Sequence, residues 1–493
     1  MRWTRLAVCR CITALSFALP GLGVAAGSAF AHGDPRHDLA PSEPAVLTPL
    51  TPRARVMPDR GAAGFFQPRR YYLANDDHSD YLWSGDAATY RSAFNTMLDY
   101  YMTLAESTAS NPPDARGRFN ADGTLWVSEY EATHTPAQFQ RLIGHIRAGD
   151  LTVPINTCVQ LYGAMPAEAV IRSFQYAGRL SRREGLTFPL VVPMENQTLP
   201  GGVAALWAGS GVRYSWKGIC NCATTIDATD RLLEVYRFGG KDGSSVLMKW
   251  NSELYGSSYS LGGYAEALNP TAALNLMKNN STYRARWPYD ISAAFGYGWD
   301  SLQTTTPKFV QAALTLNDDT TRVIDSNEVD FFQDFEINYG LGLPTYTASY
   351  GNEWDLFSAS LGEVTASVKR SFEKLRTAEA LATIASFYDP AFMSARVAKR
   401  DSMTMAAGLY YEHSWGPGPG VNEATRDAWQ RRIASAITAY VDTLHDNGLA
   451  RLGTLVPAGA LERHECSTRC RGHAPMWQIW PSPRWRRSRW WTW

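Results

Sequence analysis

Apolar and polar positions alternate in two ways along the first two thirds of the chain. Short runs of bulky apolar residues predict buried strands, and between them apolar residues at intervals of three and four predict amphipathic helices. This alternation favours a parallel sheet covered by helices, and at this length a closed α/β barrel is the leading architecture. The predicted strands cover residues 71–74, 188–192 and 246–248, and the predicted helices cover residues 91–105, 136–148 and 167–184.

The pattern changes beyond residue 350. Residues 355–385 contain almost no Gly or Pro and carry apolar side chains at helical spacing, and residues 428–444 repeat this character. A Gly-Pro-Gly-Pro-Gly turn separates these two stretches. We therefore expect an α/β barrel of parallel strands over residues 69–349 and a helical bundle over residues 350–462.

The N-terminus has the composition of an export signal. Arg2 and Arg5 precede a mostly apolar stretch, and the small residues that end at Ala31 suit a signal peptidase. We expect a signal peptide over residues 1–31, a proline-rich leader over residues 32–68, and a periplasmic or extracellular location. Beyond this signal there is no run of about 20 apolar residues, so no membrane span is expected.

The C-terminal residues 463–493 have an unusual composition. They contain six tryptophans, seven arginines and one acid, without a helical or alternating pattern. Interleaved Arg and Trp can bind a membrane or a nucleic acid. We favour the other interpretation, that the segment is a frameshifted or truncated end of a gene whose normal product continues.

Charge and aromatic content narrow the range of partners. Lysine plus arginine equal aspartate plus glutamate at 47 each, which removes a global electrostatic argument for nucleic acid or an anionic membrane. Aromatic residues make up 12% of the chain and suit stacking on carbohydrate, although core packing explains most of them individually. The oligomeric state is left open. Cys220 and Cys222 are too closely spaced for an unstrained disulfide with each other, so packing is their default role.

The most informative short motif is His78-Ser79-Asp80 with Trp83 three residues later. Side chains two apart on extended backbone point the same way, so the imidazole and the carboxylate can aim at one ion. Nitrogen and carboxylate oxygen together form a plausible half of a zinc site. A surface hydrogen-bonded pair explains the same triplet without a metal.

These residues resemble glycoside hydrolase family 38, the α-mannosidase family, over roughly residues 70–450. That family opens its catalytic domain with a strand followed by His-x-Asp-Pro-Gly-Trp, and here Tyr81-Leu82 replaces the Pro-Gly pair. The resemblance implies a seven-stranded α/β barrel and a helical bundle. It implies that His78 and Asp80 are Zn²⁺ ligands and that Trp83 stacks under the sugar.

Two further segments extend the resemblance to the metal site. Met194-Glu195 follows a predicted strand where the family carries an acidic nucleophile that also binds the metal, so Glu195 takes both roles. Without the resemblance, a helix N-terminal charge explains Glu195 equally well. Tyr411-Glu412-His413-Ser414 lies where the family has His-His-Asp or Phe-His-Asp, which makes His413 the fourth ligand and places Ser414 at a substrate-binding position.

The general acid is expected in the segment Gly296-Tyr297-Gly298-Trp299-Asp300, which lies where the family has Gly-Asp-Asp-Phe. The resemblance implies that Asp300 is the acid and that Trp299 contacts substrate. Retaining glycosidases hold their two carboxyl groups about 5 Å apart.

The leading hypothesis is therefore a zinc-dependent retaining glycosidase that acts on α-mannoside-like glycans. One alternative is a metal-dependent polysaccharide deacetylase, in which the metal activates water. Another is a carbohydrate-binding or inactive fragment, because family 38 chains ordinarily continue into β-sandwich domains and this chain is expected to be truncated before them.

Overall fold

The computed structural model describes residues 68–195, 198–220, 233–251, 254–256, 260–298, 302–351, 353–455, 463–467 and 477–481. The chain divides into one unit of residues 68–464 with 479–493 and another of residues 1–67 with 465–478. The expected signal peptide and nearly all of the leader lie outside the described residues, as do Trp299, Asp300 and most of the C-terminal tail. Among the described residues, no helix has the length and apolar character needed to cross a membrane.

Helices surround short strands and then dominate the last part of the described chain. Three 3₁₀ helices cover Pro113–Ala115, Gly340–Gly342 and Glu353–Leu361. The α-helices are α1 Ala87–Ser107, α2 Thr124–Thr133, α3 Pro136–Ala148, α4 Ala167–Ser173, α5 Gln175–Glu184, α6 Val203–Gly209, α7 Pro270–Asn279, α8 Ser281–Arg286, α9 Lys308–Thr315, α10 Glu328–Tyr339, α11 Gly362–Tyr388, α12 Ala391–Ser394, α13 Val397–Tyr410 and α14 Glu423–Gly453.

Most strand pairs are parallel. One sheet has the order β8-β1-β9, a second has the order β10-β6-β7-β5-β4, and β2 pairs with β3. The strands are β1 Arg69–Ala74, β2 Phe119–Asn120, β3 Leu151–Thr152, β4 Leu190–Val191, β5 Tyr214–Lys217, β6 Val235–Gly239, β7 Ser245–Trp250, β8 Ile291–Phe295, β9 Thr321–Ser326, β10 Thr345–Tyr346, β11 Arg463–Ser467 and β12 Trp477–Pro481. The α/β architecture expected from the sequence is confirmed.

The carboxyl ends of the strands collect buried polar residues. β1 is apolar and buried from Tyr71 to Ala74, and the buried chain then continues through polar residues to Asp80. Backbone hydrogen bonds extend the pairing past the short strands, from Asn120 N to Asn75 O at 2.9 Å and from Ile155 N to Leu190 O at 2.8 Å. In parallel strands these ends share one edge, which is where α/β proteins place their sites.

The last helices pack on one another as the sequence predicts. α11 and α14 lie side by side, and α13 contacts both α14 and α4. Gly448 on α14 lies against Leu381 on α11, where a Cβ atom would come within 2.9 Å. Glycine therefore permits the close approach of the two long helices. The boundary at residues 349 and 350 stays a prediction.

Three local expectations are wrong. The expected helix over residues 167–184 is two helices that meet at Phe174, and the Thr157 hydroxyl donates to the carbonyl of Ser173 at 2.8 Å beside this break. β6 and β7 are antiparallel, since five residues join them and so short a connection permits only a hairpin. Cys220 is disulfide-bonded rather than merely packed.

Candidate metal centre

The segment after β1 carries His78 and Asp80 into the interior. Both side chains are buried, at 0% and 6% exposure. Tyr90 on α1 donates its hydroxyl to the carbonyl of Asp80, and Trp83 N donates to the same oxygen at 2.9 Å. These contacts turn the chain sharply and hold both side chains at the end of the strand.

Glu195 follows β4 by four residues and adopts an unusual backbone. Its φ of 58° lies in the left-handed region, which costs a residue with a Cβ atom about 1–2 kcal/mol. Lys217, the last residue of β5, donates its ammonium to the carbonyl oxygen of Glu195. This contact helps to hold a strained backbone that turns the carboxylate inward, where it is 2% exposed.

His413 comes from the segment between α13 and the glycine-rich turn. Its backbone is tied to the segment after β3, with His413 N donating to Val159 O at 3.2 Å and Leu161 N donating to Tyr411 O at 2.8 Å. The imidazole is fully buried. Three segments far apart in sequence therefore contribute to one place.

His78, Asp80, Glu195 and His413 converge, with one donor atom of each lying within 4.8 Å of the others. His413 Nε2 lies 2.9 Å from Asp80 Oδ1 and 3.2 Å from Glu195 Oε2. His78 Nε2 lies 3.5 Å from Asp80 Oδ1 and 3.6 Å from Glu195 Oε1. Tetrahedral zinc bound at about 2.0–2.2 Å separates its ligand atoms by about 3.3–3.6 Å, and three of these four distances are close to that range.

Hydrogen bonding supports the same fit. Within the described part of the chain, the Nε2 atoms of His78 and His413, which face the cluster, and Glu195 Oε2 make no well-aligned hydrogen bond. Buried polar atoms are nearly always satisfied, so these atoms call for a further group between them. Two imidazole nitrogens and two carboxylate oxygens are a donor set that zinc accepts.

The electrostatics of the cluster favour positive charge at its centre. Burial alone would lower the pKa of His78, yet the charges of Asp80 and Glu195 raise it well above its ordinary value. The pKa of His413 is raised likewise, against burial, by Glu412, Asp80 and Glu195. Burial works to raise the pKa of Glu195, but the two imidazoles lower it. Either protonated imidazoles or a bound cation would supply the positive charge that the neighbouring carboxylates favour.

A second layer of carboxylates lies behind the two histidines. Asp122 Oδ2 lies 3.7 Å from His78 Nδ1 and accepts from Ser79 N at 2.8 Å. Glu412 Oε1 lies 2.9 Å from His413 Nδ1. Carboxylates behind metal-binding histidines commonly fix the ring orientation and the tautomer. Burial raises the pKa of Asp122 to about 6.

The chain is similar to known proteins in its three-dimensional structure, and the sequence comparisons find no match. No model of a protein family matches the sequence, and no curated protein matches it. An α-mannosidase from Enterococcus faecalis V583 aligns with a TM-score of 0.61 at 14% identity, covering 81% of this chain and 46% of that protein. A glycosyl hydrolase family 38 protein from Enterococcus faecalis aligns with a TM-score of 0.54 at 15% identity, covering 79% of this chain and 41% of that protein.

The chain shares the fold of glycosyl hydrolase family 38. The resemblance inferred from short motifs is therefore confirmed at the level of fold, over about four fifths of the chain. The chain spans less than half the length of either of these solved structures.

Where the chain departs from the family 38 motifs, the structure shows what the different residues do. Leu82 stands where the motif has Gly and keeps a glycine-like φ of 64°. Its side chain is buried at 3% exposure. Ser414 stands where the motif has Asp, and its hydroxyl donates to Asp80 Oδ1 at 3.1 Å. Ser414 thus contacts a candidate ligand, and its binding of substrate stays a prediction.

Of the two tryptophans expected at the site, the structure describes Trp83. Trp83 is half-buried and supports the glycine-rich turn, because Gly420 N donates to its carbonyl at 3.0 Å and a Cβ on Gly418 would lie 2.6 Å from its ring. Trp299 and Asp300 lie outside the described residues. Trp354, named in the sequence only as part of an acidic and aromatic cluster, lies nearly parallel to the His413 ring at 5.9 Å.

Sequence reasoning missed the groups that hold the four candidate ligands. Asp122 follows a strand of two residues, which is too short to leave a pattern. Glu412 was visible beside His413, and its negative charge next to a candidate ligand was a usable signal. Lys217 had no signal, because its role depends on the backbone of Glu195.

Proposed function

We propose that this protein is a zinc-dependent retaining glycoside hydrolase that acts on α-mannoside-like glycans. The carrying observation is the convergence of His78, Asp80, Glu195 and His413 in one buried cluster. The fold shared with an α-mannosidase supports the reaction class. The same four residues would hold the cation, with carbohydrate as the substrate.

The chain's own residues divide the chemistry among them. Zinc, when bound, would orient sugar hydroxyls and favour a ring shape close to the oxocarbenium-like transition state. The Glu195 carboxylate attacks the anomeric carbon while Asp300 gives a proton to the departing oxygen, which yields a glycosyl-enzyme. Asp300 then takes a proton from water, and the water oxygen displaces Glu195. Trp83, Trp299 and Ser414 contact the sugar.

Gly298, the last described residue before Asp300, lies close to the segment that carries His78. His78 N donates to Gly298 O at 3.2 Å, and Gly298 N donates to Asp76 O at 3.1 Å. A Cβ at Gly298 would lie 1.9 Å from Asp77 Oδ1, so glycine allows this segment to approach the one that carries His78. The proposed acid Asp300 is therefore two residues along the chain from a glycine that contacts the segment carrying His78.

We propose in addition that the strands close into a seven-stranded barrel. Support comes from two hydrogen bonds of the segment 262–266: Ile219 N, just beyond the end of β5, donates to Gly262 O at 3.0 Å, and Glu266 N donates to Phe295 O of the edge strand β8 at 2.8 Å. These contacts join the β5 side to the β8 side through residues 262–266. Export through a signal peptide over residues 1–31 is proposed on sequence grounds alone.

Replacing Glu195 tests the catalytic assignment. We expect Glu195→Gln to lower kcat on an aryl α-mannoside by at least about 10³-fold, because an amide is a poor nucleophile. Nuclear magnetic resonance of the first product formed by the wild type should show retained α configuration. Inverted product would overturn the nucleophile role, and acetate release from an acetylated polysaccharide without glycoside cleavage would favour a deacetylase.

A further inference from the structure

A buried ion pair lies directly behind His413 and takes no part in the proposed chemistry. Arg426 Nη2 donates to Glu412 Oε2 at 2.9 Å, and the two side chains are 2% and 0% exposed. Burying two charges is costly unless further contacts compensate for the lost water. The contacts of this pair therefore indicate what it is for.

Arg426 reaches both segments that carry candidate ligands. Its Nη1 donates to the carbonyl of Tyr81 at 2.7 Å, and Tyr81 directly follows Asp80. The guanidinium lies over the Trp429 ring at 4.9 Å, which holds it within the first turns of α14. One side chain thus connects the Asp80 segment to the His413 segment.

Glu412 completes the connection to the imidazole. Ser414 N donates to both carboxylate oxygens at 3.1 Å, and Oε1 faces His413 Nδ1 at 2.9 Å. A carboxylate at Nδ1 favours the tautomer with its proton there, which leaves the Nε2 lone pair directed at Asp80 and Glu195. The main-chain contact of His413 with Val159 does not set the rotation of the ring.

We propose that Glu412 and Arg426 are positioning residues that orient His413 for cation binding and fix the distance between the two ligand segments. The proposal rests on the proposed zinc site. It belongs to this chain in particular, because the motif of the family has His or Phe at the position of Glu412. The motif has an aspartate directly after the histidine, and this chain has Ser414 there. Its carboxylate belongs instead to Glu412, which precedes the histidine and faces Nδ1 of the ring.

The test measures Zn²⁺ affinity and the visible spectrum of Co²⁺ in the purified full chain. Affinity is obtained by competition with a chromophoric chelator. The variants are Glu412→Gln, Arg426→Lys and the paired Glu412→Gln/Arg426→Met, with Arg431→Met as a matched control. Arg431 lies on the same helix, and its ion pairs with Asp427 and Glu363 are exposed.

We expect each of the three test variants to bind Zn²⁺ roughly 10- to 100-fold more weakly and to shift the Co²⁺ absorption bands. Arg431→Met should match the wild type in both measurements. Equal affinity and unchanged bands in the test variants would overturn the positioning role. Loss of folding in all three would also overturn it, in favour of a purely structural ion pair.

The same experiment separates this inference from the proposed function. If the wild type binds one Zn²⁺ per chain and the test variants bind it equally well, only the positioning role is overturned. A folded wild type that binds no Zn²⁺ removes the proposed metal site, and the inference that rests on it is then overturned as well. Near-ultraviolet circular dichroism of each protein establishes that it is folded.

Discussion

At the scale of single residues, short motifs predicted the candidate ligands and the structure brings all four together. The groups around them could not be predicted in the same way. Lys217 acts on a backbone carbonyl, and Asp122 acts on a ring 44 positions earlier in the chain. Such contacts follow from tertiary packing, and spacing along the sequence does not record them.

Leu82 gives a prediction in which two effects of a single residue compete. Relief of its left-handed backbone strain is worth about 1–2 kcal/mol, whereas removal of a buried leucine side chain costs about 2–5 kcal/mol. Leu82→Gly should therefore lower the free energy of unfolding, measured by urea denaturation. Leu82→Ala should lower it by about 1 kcal/mol more, because alanine loses the packing and keeps the strain. An alanine variant at least as stable as the glycine variant would contradict this account.

At the scale of elements, long periodic segments were predictable and short or interrupted ones were not. The helix expected over residues 136–148 is α3 to the residue, with Thr135 and Gln138 forming a capping box at its start. The break between α4 and α5 lies against Thr157, a contact with another part of the chain that the helical pattern does not record. β2, β3 and β4 have two residues each, too few to show a period.

The buried start of α10 leads to a prediction about pH. Burial raises the pKa of Glu328 to about 8, well above its ordinary value of 4.5. The folded state therefore favours the protonated acid, and this preference stabilises it less and less as pH rises from about 4.5 through about 8. Each pKa unit corresponds to about 1.4 kcal/mol at most.

Urea denaturation between pH 5 and pH 8 tests this prediction. The unfolding free energy of the wild type should fall across the range, and that of Glu328→Gln should fall less. Glu363→Gln supplies the control, since hydrogen bonds lower the pKa of this exposed acid and it should stay ionised between pH 5 and pH 8. Parallel curves for the wild type and Glu328→Gln would show that Glu328 does not titrate in this window.

At the scale of the whole molecule, the alternation of strands and helices was enough to predict the α/β class and the helical region that follows. The closed barrel expected from the sequence stays a proposal, because the contacts that bear on closure fall in loops such as residues 262–266 and not in paired strands. The cluster draws on segments near residues 78, 195 and 413, so its assembly depends on the folding of both regions.

Cation binding should therefore stabilise the molecule as a whole. A ligand that binds only the folded state at 100 times its Kd adds about 2.7 kcal/mol to stability. We expect a chelator to lower the melting temperature by several degrees and Zn²⁺ to restore it, as followed by differential scanning calorimetry. The melting temperature of His413→Ala should be the same with and without chelator. If neither chelator nor Zn²⁺ changes the melting temperature of the wild type, the result argues against a cation that bridges these segments.

The most direct test of the central claim is the rate of aryl α-mannoside hydrolysis during stepwise return of Zn²⁺ to the chelated wild-type protein. The expected result is a rate near zero after chelation that rises to a plateau at one Zn²⁺ per chain. A rate that ignores chelation, or no hydrolysis by folded protein loaded with Zn²⁺, would contradict the assignment of His78, Asp80, Glu195 and His413 as the centre of a metal-dependent glycosidase.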